Sequence, residues 1–188
     1  MKQHIIPALK LTLVTIVFFC GIYTIFILAV AQAAPGKGRG VTITVKDKIV
    51  GYALEGQKFD QDKYFWSRPS AVNYNAAGSA GSNKGPTNPD YLKQVQDRID
   101  TFLVHNPGIK KEEIPADLVT ASGSGLDPDI SVASAKVQVK RIARVRNLDE
   151  NALNALIAQH TDKPLLGFMG PEKINVLKLN IALDELKK

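Results

Sequence analysis

The sequence predicts an α+β protein with one N-terminal transmembrane helix, residues 1–34, followed by a single mixed α/β domain, residues 35–188. Two observations support this prediction. An uncharged run, residues 11–34, lies between Lys10 and Lys37 and is apolar enough to cross a membrane as one helix. After it come patterns typical of strands, then of helices, then of strands again, an order typical of the α+β class.

The predicted anchor has an apolar core, residues 11–31, that matches the roughly 20 residues needed to span the hydrocarbon layer. A secretory signal is the alternative, because Lys2 and Lys10 form a basic start and residues 29–33 (AVAQA) offer small side chains for cleavage. The run is longer than the roughly 7–15 apolar residues of a signal, which favours an uncleaved anchor.

The orientation of the anchor is not decided by charge counting. The N-terminal flank carries Lys2, Lys10 and the terminal amine, whereas the other flank carries Lys37, Arg39, Lys46 and Lys48. This count leans slightly toward a cytoplasmic C-terminus. The signal-like order favours the opposite, with the N-terminus in the cytoplasm and the domain extracytoplasmic. The only cysteine, Cys20, lies in the anchor, so the domain has no thiol that could mispair outside the cell.

The charge balance bears on the expected partners. The chain carries a formal net charge of +6, and Lys2 and Lys10 in the anchor account for two of these charges. The remaining charge is mildly basic rather than concentrated in a patch, so no nucleic acid partner is expected. Cationic side chains beside a membrane meet anionic headgroups, and the lipid bilayer is therefore an expected partner.

Residues that usually carry catalysis or bind metals are few and scattered. The histidines are His4, His105 and His160, Cys20 lies in the anchor, and no cluster has metal-site spacing. Ser124 lies in a Ser-Gly-Ser-Gly sequence that lacks the first glycine of a nucleophile elbow. There is no Walker A motif, and one uncharged helix cannot line a pore. We therefore expect a non-catalytic subunit with no metal and no cofactor of its own.

The first part of the domain is predicted to be a hairpin. Residues 35–40 (PGKGRG) read as a flexible linker after the anchor. Residues 41–45 alternate between apolar side chains and threonine, which predicts a half-buried strand. A turn at residues 46–48 then leads into a partner strand over residues 49–54.

A helix is predicted to follow the long Gly/Ser/Asn/Pro loop of residues 78–88. Asn88 is placed to cap it and Pro89 to occupy its first position. Its apolar stripe has spacings of three and four: Leu92, Val95, Ile99, Phe102 and Leu103. The Asn-Pro-Gly sequence at residues 106–108 is predicted to end it.

Two more helices are predicted after a short extended or turn segment, residues 114–120, and a small-residue loop, residues 121–129. Ser131 is predicted to cap the first and Asp149 the second. The cationic side chains of the first helix lie largely outside its apolar stripe: Lys136, Lys140, Arg141 and Arg144.

The end of the chain is predicted to return to strands. Residues 165–169 and 174–180 read as strands, with a short helix from Ala182. We expect the strands near the two ends of the domain to share one sheet. Asp127 and Asp129 are expected to cap the following helix, since aspartate is favoured in turns and first helical turns.

Several longer motifs resemble one known family. They are residues 64–71 (YFWSRPSA), 73–75 (NYN), 81–89 (GSNKGPTNP), 114–131 (IPADLVTASGSGLDPDIS), 138–139 (QV), 141–143 (RIA) and 175–183 (NVLKLNIAL). Together with the lone N-terminal helix, the chain strongly resembles the C subunit of the bacterial Kdp potassium-transporting P-type ATPase. Val132, where the family commonly has proline, and the reordered turn at residues 170–173 (GPEK) depart from its pattern.

The resemblance implies a place in a complex of the bacterial inner membrane that takes up potassium with high affinity. Its partners would be a channel-like potassium-binding A subunit, a P-type ATPase B subunit and a small F subunit. The family's C subunit is described as chaperone-like, raising the ATP affinity of the B subunit, so that ATP is implied only through the complex. The chain lacks the Asp-Lys-Thr-Gly-Thr phosphorylation sequence, in agreement with a non-catalytic role.

The resemblance also implies candidate site residues. The loop residues Ser122, Gly123, Ser124 and Gly125, with Gln138, are likened to a nucleotide-contacting motif of ABC transporters. A Gly/Ser loop before a helix can bind phosphate, but it can equally be a tight turn with a helix cap. Gln138 lies about two turns beyond the cap and would need a separate approach to the same phosphate.

Two hypotheses for the domain therefore stay open, with a third for a cleaved or tethered chain. In the first, the chain is an assembly subunit, and Trp66, Arg68 and Tyr74 are interface anchors, since these residue types dominate hot spots. The competing structural interpretation makes Phe65 and Trp66 part of the core and Arg68 part of a satisfied, buried ion pair. The second hypothesis is a module that contacts nucleotide directly. The third is a secreted or membrane-tethered extracytoplasmic binding domain with no nucleotide role.

Overall fold

The computed structural model describes residues 2–186, which divide into two compact units that meet between Thr42 and Ile43. The first unit is a long helix built of α1 (Lys2–Thr15), a π-helical stretch (Ile16–Tyr23) and α2 (Thr24–Ala33). Its span Gln3–Ala33 is, among the described residues, the one helix long and apolar enough to cross a membrane.

Threonine side chains inside this helix are paired with its own backbone. The hydroxyls of Thr12, Thr15 and Thr24 donate to the carbonyls of Ala8, Thr12 and Phe19, each at 2.9 Å. Because hydrocarbon offers no hydrogen-bond partners, such internal bonds make a polar side chain acceptable there. The three threonines of the apolar run therefore do not argue against a membrane span.

The second unit mixes helices and strands, which confirms the predicted class. Its elements are β1 (Thr42–Val45), β2 (Lys48–Tyr52), α3 (Pro89–His105), β3 (Asp129–Ile130), α4 (Val132–Lys136), α5 (Val139–Arg146), α6 (Glu150–Gln159), β4 (Thr161–Asp162), β5 (Lys173–Asn175) and α7 (Val176–Glu185). Single 3-10 turns lie at Ala76–Gly78, Lys111–Glu113 and Ala116–Leu118.

The strands form two sheets, so the expectation of one shared sheet was wrong. Strands β1 and β2 form a two-stranded hairpin, whereas β3, β5 and β4 form a separate antiparallel sheet in that order. The two sheets are joined by a side chain instead. Asn175, at the end of β5, donates its amide to the carbonyl of Ala53, just after β2, at 2.8 Å.

The predicted strands near the C-terminus were also largely wrong. Residues 165–169 form a turn closed by a single bridge between Leu165 and Met169. The strand predicted over residues 174–180 ends at Asn175, whose side chain accepts from the Lys178 amide and so caps α7. Helix α7 therefore starts six residues before the predicted helix. The apolar residues of this run fit the spacing of a strand as well as that of a helix, and only the burial pattern distinguishes the two.

The predicted helix starts are confirmed where a side chain caps them. The Asn88, Ser131 and Asp149 side chains accept the third amide beyond them at the starts of α3, α4 and α6. The helix after Ser131 is however broken into α4 and α5 at residues 137–138.

The prediction that Asp127 and Asp129 cap this helix was wrong, because both carboxylates form ion pairs elsewhere. Asp127 pairs with Arg68 at 2.8 Å, and Asp129 pairs with Lys173 at 2.6 Å. Asp117, from a 3-10 turn, instead accepts the Ser131 amide at 2.8 Å and the Ser134 hydroxyl at 2.6 Å.

The core lies between helices α4 to α7 and the three-stranded sheet. Its largest fully buried apolar side chains are Phe65, Ile142, Leu153, Ile157, Ile174, Leu179 and Leu183. Unlike the other six, Phe65 lies outside the helices and strands, because residues 57–75 form no regular helix or strand. Burial of an irregular segment is costly unless its backbone groups find partners.

Asn180 of α7 supplies two of these partners. Its side-chain oxygen accepts the Phe65 amide at 2.9 Å, and its side-chain nitrogen donates to the Phe65 carbonyl at 3.0 Å. Asn180 is itself buried. Asn180 thus pairs both the amide and the carbonyl of Phe65, as a neighbouring strand would do in a sheet.

Replacing Asn180 tests this arrangement. We expect Asn180→Leu to lower the free energy of unfolding by about 2–4 kcal/mol, because it leaves the buried amide and carbonyl of Phe65 without partners. Asn154→Leu is the matched control, since Asn154 is exposed on α6 and bonds only to its own helix, and we expect a change within about 0.5 kcal/mol. Denaturant unfolding of the full chain in detergent measures both, and equal losses would contradict the expectation.

Candidate functional site

Trp66, Arg68 and Tyr74, the predicted interface anchors, line one cavity of about 390 Å³. The cavity lies between the irregular segment and helix α3, which contributes Arg98 and Phe102. Its remaining lining residues are Lys58, Phe59, Asp60, Ser67, Pro69, Ser70, Asn73, Asp97, Thr101 and Leu118. Aromatic rings and arginines therefore share one concave surface, which is typical of binding sites.

The position of Trp66 is fixed from several sides. Its indole N–H donates to the carbonyl of Gln61 at 3.1 Å. Its ring lies edge-to-face with Phe102 at 6.1 Å between centroids and with His105 at 5.0 Å, and the Arg141 guanidinium lies 4.8 Å from its centroid. Trp66 is half-buried, so it both packs on the core and lines the cavity.

Arg68 is paired on one nitrogen and unsatisfied on another. Its Nη1 bonds to the Asp127 carboxylate at 2.8 Å. Among the described residues, its Nε is the one buried side-chain nitrogen or oxygen with no hydrogen-bond partner. The Tyr74 hydroxyl donates to the Arg68 carbonyl, and burial raises the pKa of Tyr74, so the phenol stays a proton donor. A buried N–H without an acceptor is unfavourable unless a binding partner provides one.

Arg98 was missed by the sequence reasoning. Its Nη1 donates to the carbonyl of Val119 at 3.0 Å, which holds the side chain across the gap between α3 and the 3-10 turn. Arg98 also lines a second, more polar cavity of about 390 Å³ that includes Ser70, Lys84 and Tyr91. The available signal was its position at the edge of the apolar stripe of α3, three residues after Val95 and four before Phe102, where a charged side chain that is partly buried needs a partner.

The predicted nucleotide loop is fastened to the segment that carries the interface anchors. The Ser122 amide donates to the carbonyl of Pro69 at 3.1 Å, and the Ser70 hydroxyl donates to the carbonyl of Gly125 at 2.7 Å. Ser122 and Gly125 are buried, whereas Gly123 and Ser124 are exposed. Only the two middle residues of the loop are thus open to an incoming ligand.

Gln138 lies inside the domain and its polar atoms are already bonded. Its side-chain oxygen accepts from the Trp66 amide at 2.7 Å and from Arg141 Nη2 at 2.6 Å. Its side-chain nitrogen donates to the carbonyl of Ser134 at 2.9 Å, and the residue is fully buried. The structure therefore brings Gln138 to the inner side of Trp66, and none of its hydrogen-bond partners belongs to the Gly/Ser loop.

Arg141 completes this buried network, contrary to the prediction that it lies outside the apolar stripe. Its guanidinium donates to Asn106 Oδ1 at 3.0 Å and to the carbonyl of Tyr64 at 3.0 Å, besides Gln138. Burial lowers the pKa of Arg141 to about 10, which still leaves it charged at neutral pH. Asp62 lies 4.0 Å away and also pairs with His105 at 2.7 Å.

Comparison with known proteins bears on the role of this domain. The sequence model of a family described as KdpC, the c chain of the K⁺-transporting ATPase, matches residues 5–185. The chain belongs to the KdpC family. The resemblance inferred from the motifs is thereby confirmed.

Curated relatives agree over nearly the whole chain. A protein of Flavobacterium psychrophilum is 58% identical over 98% of this chain and 100% of its own length. One of Flavobacterium johnsoniae is 55% identical with the same coverage, and one of Geobacter sulfurreducens is 49% identical over 96% of each chain. All three are named potassium-transporting ATPase KdpC subunit. This KdpC-family chain is therefore similar to subunits of a potassium transport complex.

Gly125 tests how tightly the loop is held. We expect Gly125→Ala to lower the free energy of unfolding by about 2–4 kcal/mol, because Gly125 has a positive φ of 69° and an added Cβ would lie 2.5 Å from Val72 Cγ2. Gly123→Ala is the control, since no atom lies within 4 Å of its added Cβ. Thermal unfolding of the two full-length variants measures the difference, and coincident curves would refute it.

Proposed function

We propose that this KdpC-family chain is the non-catalytic accessory subunit of an ATP-driven, high-affinity potassium uptake complex. It assembles with a channel-like potassium-binding subunit, a P-type ATPase subunit and a small fourth subunit. Acting in a chaperone-like way, it raises the ATP affinity of the ATPase subunit. The family match over residues 5–185, the names of the relatives and the absence of a phosphorylation sequence support this proposal.

The cavity lined by Trp66, Arg68 and Tyr74 is the observation that carries the docking part of the proposal. Tryptophan, tyrosine and arginine are the residue types that most often anchor interfaces, and here they share one concave surface. The Nε of Arg68 lacks an acceptor among the described residues, and because it is buried, a carbonyl or carboxylate of a partner subunit would supply one only after the Arg68 side chain moves on docking. The occupant is thus a partner segment with an apolar side chain beside an acceptor.

The domain is proposed to lie on the extracytoplasmic side of the inner membrane, behind an uncleaved anchor with a cytoplasmic N-terminus. ATP is scarce on that side, so the effect on ATP affinity would pass through the assembled complex. The bonds of Gln138 support this indirect route, because a nucleotide could contact its side chain only after the network with Trp66 and Arg141 opens.

Direct nucleotide contact is a second candidate function. The observation that favours it is the exposure of Gly123 and Ser124, which leaves the middle of the Gly/Ser loop accessible. Ser122 and Gly125 would then shape the loop rather than contact the nucleotide. ATP binding by the full chain alone, without other subunits, is the result that would select this candidate.

Filling the cavity tests the docking proposal. Thr101 is exposed on α3 and lines the cavity, so we expect Thr101→Trp to exclude the partner segment. Loss of a hot-spot contact of about 2 kcal/mol weakens association by about 30-fold. Co-purification with the other subunits should fall accordingly, and the KM for ATP of the complex should rise toward its value without this chain.

Val104→Trp is the matched control, one helical turn further along α3. Val104 is exposed and does not line the cavity, so the control variant should assemble like the unmodified chain. Normal assembly and an unchanged ATP KM in Thr101→Trp would refute the docking role. An ATP KM that is the same with and without the chain would instead favour a tethered binding domain with no nucleotide role.

Protease access tests the proposed orientation. In intact cells with a permeabilised outer layer, added protease should digest the domain after residue 34, whereas a cytoplasmic marker protein stays whole. N-terminal sequencing of the mature chain should begin at the anchor, because it is uncleaved. Digestion only after lysis of the inner membrane, or a mature N-terminus near residues 31–35, would contradict the proposal.

A further inference from the structure

One apolar surface has no part in the function proposed above. The apolar tip, defined here as residues 164–171 (PLLGFMGP), joins β4 to β5 and contains no charged side chain. Its large side chains Leu165, Leu166, Phe168 and Met169 are between 53% and 77% exposed. Single exposed apolar residues are ordinary, but four within five positions on one loop form a patch that marks an interaction surface.

The backbone of the apolar tip is largely bonded to itself. Leu165 and Met169 exchange both amide–carbonyl bonds, at 3.1 and 2.9 Å. The Gly167 amide donates to the carbonyl of Pro164 at 2.9 Å, and the two prolines that end the tip have no amide hydrogen. Pairing of backbone groups lowers the cost of taking a loop out of water, and four of the six amides of this loop are paired within it.

Leu166 adopts a conformation that leucine rarely takes. Its φ is 56°, in the left-handed region where asparagine or glycine is usually found, and Gly167 follows at 81°. The turn therefore presents a leucine at its apex at the expense of local backbone strain. Such a backbone outlier on an exposed loop is consistent with selection for the apolar side chain rather than for the turn.

We propose that the apolar tip inserts into the interfacial region of the bilayer that holds the chain's own anchor. This inference rests on the part of the proposed function in which the anchor is retained. Residues 34–41, between the long helix and β1, span at most about 28 Å when fully extended, so the linker keeps the start of β1 within that distance of the end of the helix. Interfacial apolar segments bury their side chains about 5–10 Å into the headgroup and acyl boundary.

The position of the apolar tip in the domain agrees with this partner. The chain enters the domain at β1, which pairs with β2, and Ala53 just after β2 accepts a bond from Asn175. Asn175 ends β5, which begins at Lys173, two residues after the apolar tip. The C-terminal end of the tip is therefore connected to β1, where the chain enters the domain, through the Asn175–Ala53 hydrogen bond and the pairing of β2 with β1.

The apolar tip carries no charge of its own, and the charges directly next to it balance. Lys163 precedes it and Glu172 follows it, and both are exposed, so the Lys163 ammonium group is available to lipid phosphates. Within the tip itself, no side chain can form a charged or directional contact that would select a protein partner. Insertion into a bilayer interface requires apolar surface and needs no charged or directional contacts.

Tryptophan fluorescence of the full chain in vesicles tests the proposal. Phe168→Trp places the probe in the apolar tip, and Val104→Trp is a matched control because both positions are 77% exposed. Phosphatidylcholine/phosphatidylglycerol vesicles with brominated acyl chains should quench the probe at position 168 at least about twofold more than the probe at 104. Its emission should also shift to the blue, and Trp66 gives the same background in both variants.

Two results would overturn the inference. Quenching of both probes by acrylamide, with no extra quenching by brominated lipid at position 168, would show that the apolar tip stays in water. Protection of position 168 only after the other subunits are added would show that the tip docks on protein. Either result leaves co-purification and the ATP KM untouched, so failure here is distinct from failure of the proposed function.

Discussion

The fold depends on pairing the backbone of an irregular segment that passes through the core. Residues 57–75 contribute the fully buried Phe65 without belonging to a helix or a strand, so side chains from distant elements must satisfy their amides and carbonyls. Asn180, Gln138 and Arg141 do so from α7, the α4–α5 break and α5. Helices α5 and α7 are thereby fixed relative to each other through a segment that belongs to neither.

The same constraint determines the geometry of the candidate site. Gln138 bonds the Trp66 amide from the inner side, while the Trp66 ring lines the cavity on the outer side. Residues of the segment only a few positions later hold the Gly/Ser loop through Pro69 and Ser70. The buried network around Gln138, the cavity lined by Trp66 and the Gly/Ser loop therefore all contact one stretch of chain, so a change in any of them reaches the others through few bonds.

Local chemistry made part of this architecture predictable. The caps at Asn88, Ser131 and Asp149 follow from side chains that bond amides within three residues, and the long N-terminal helix follows from an uncharged run of mostly apolar residues. The start of α7 was missed although Asn175 caps it locally through the Lys178 amide, because the apolar run that follows fits the spacing of a strand as well as that of a helix. The burial of Arg141 was not predictable, because it depends on bonds to Asn106 and Tyr64, which lie more than 30 positions away. Trp66 and Arg68 were found by residue type, whereas Arg98 became visible only once α3 was placed beside them.

The π-helical stretch Ile16–Tyr23 in the middle of the long N-terminal helix has a consequence for mutational scanning. A π-turn holds more residues than the 3.6 of an α-turn, so each residue there rotates less about the helix axis. Side chains of α1 and α2 that a uniform helical wheel assigns to the same side are consequently offset around the axis. Substitution data for α1 and for α2 therefore have to be plotted on separate helical wheels. A straight helix packed alongside would contact one row of side chains in α1 and a row with a different angular position in α2.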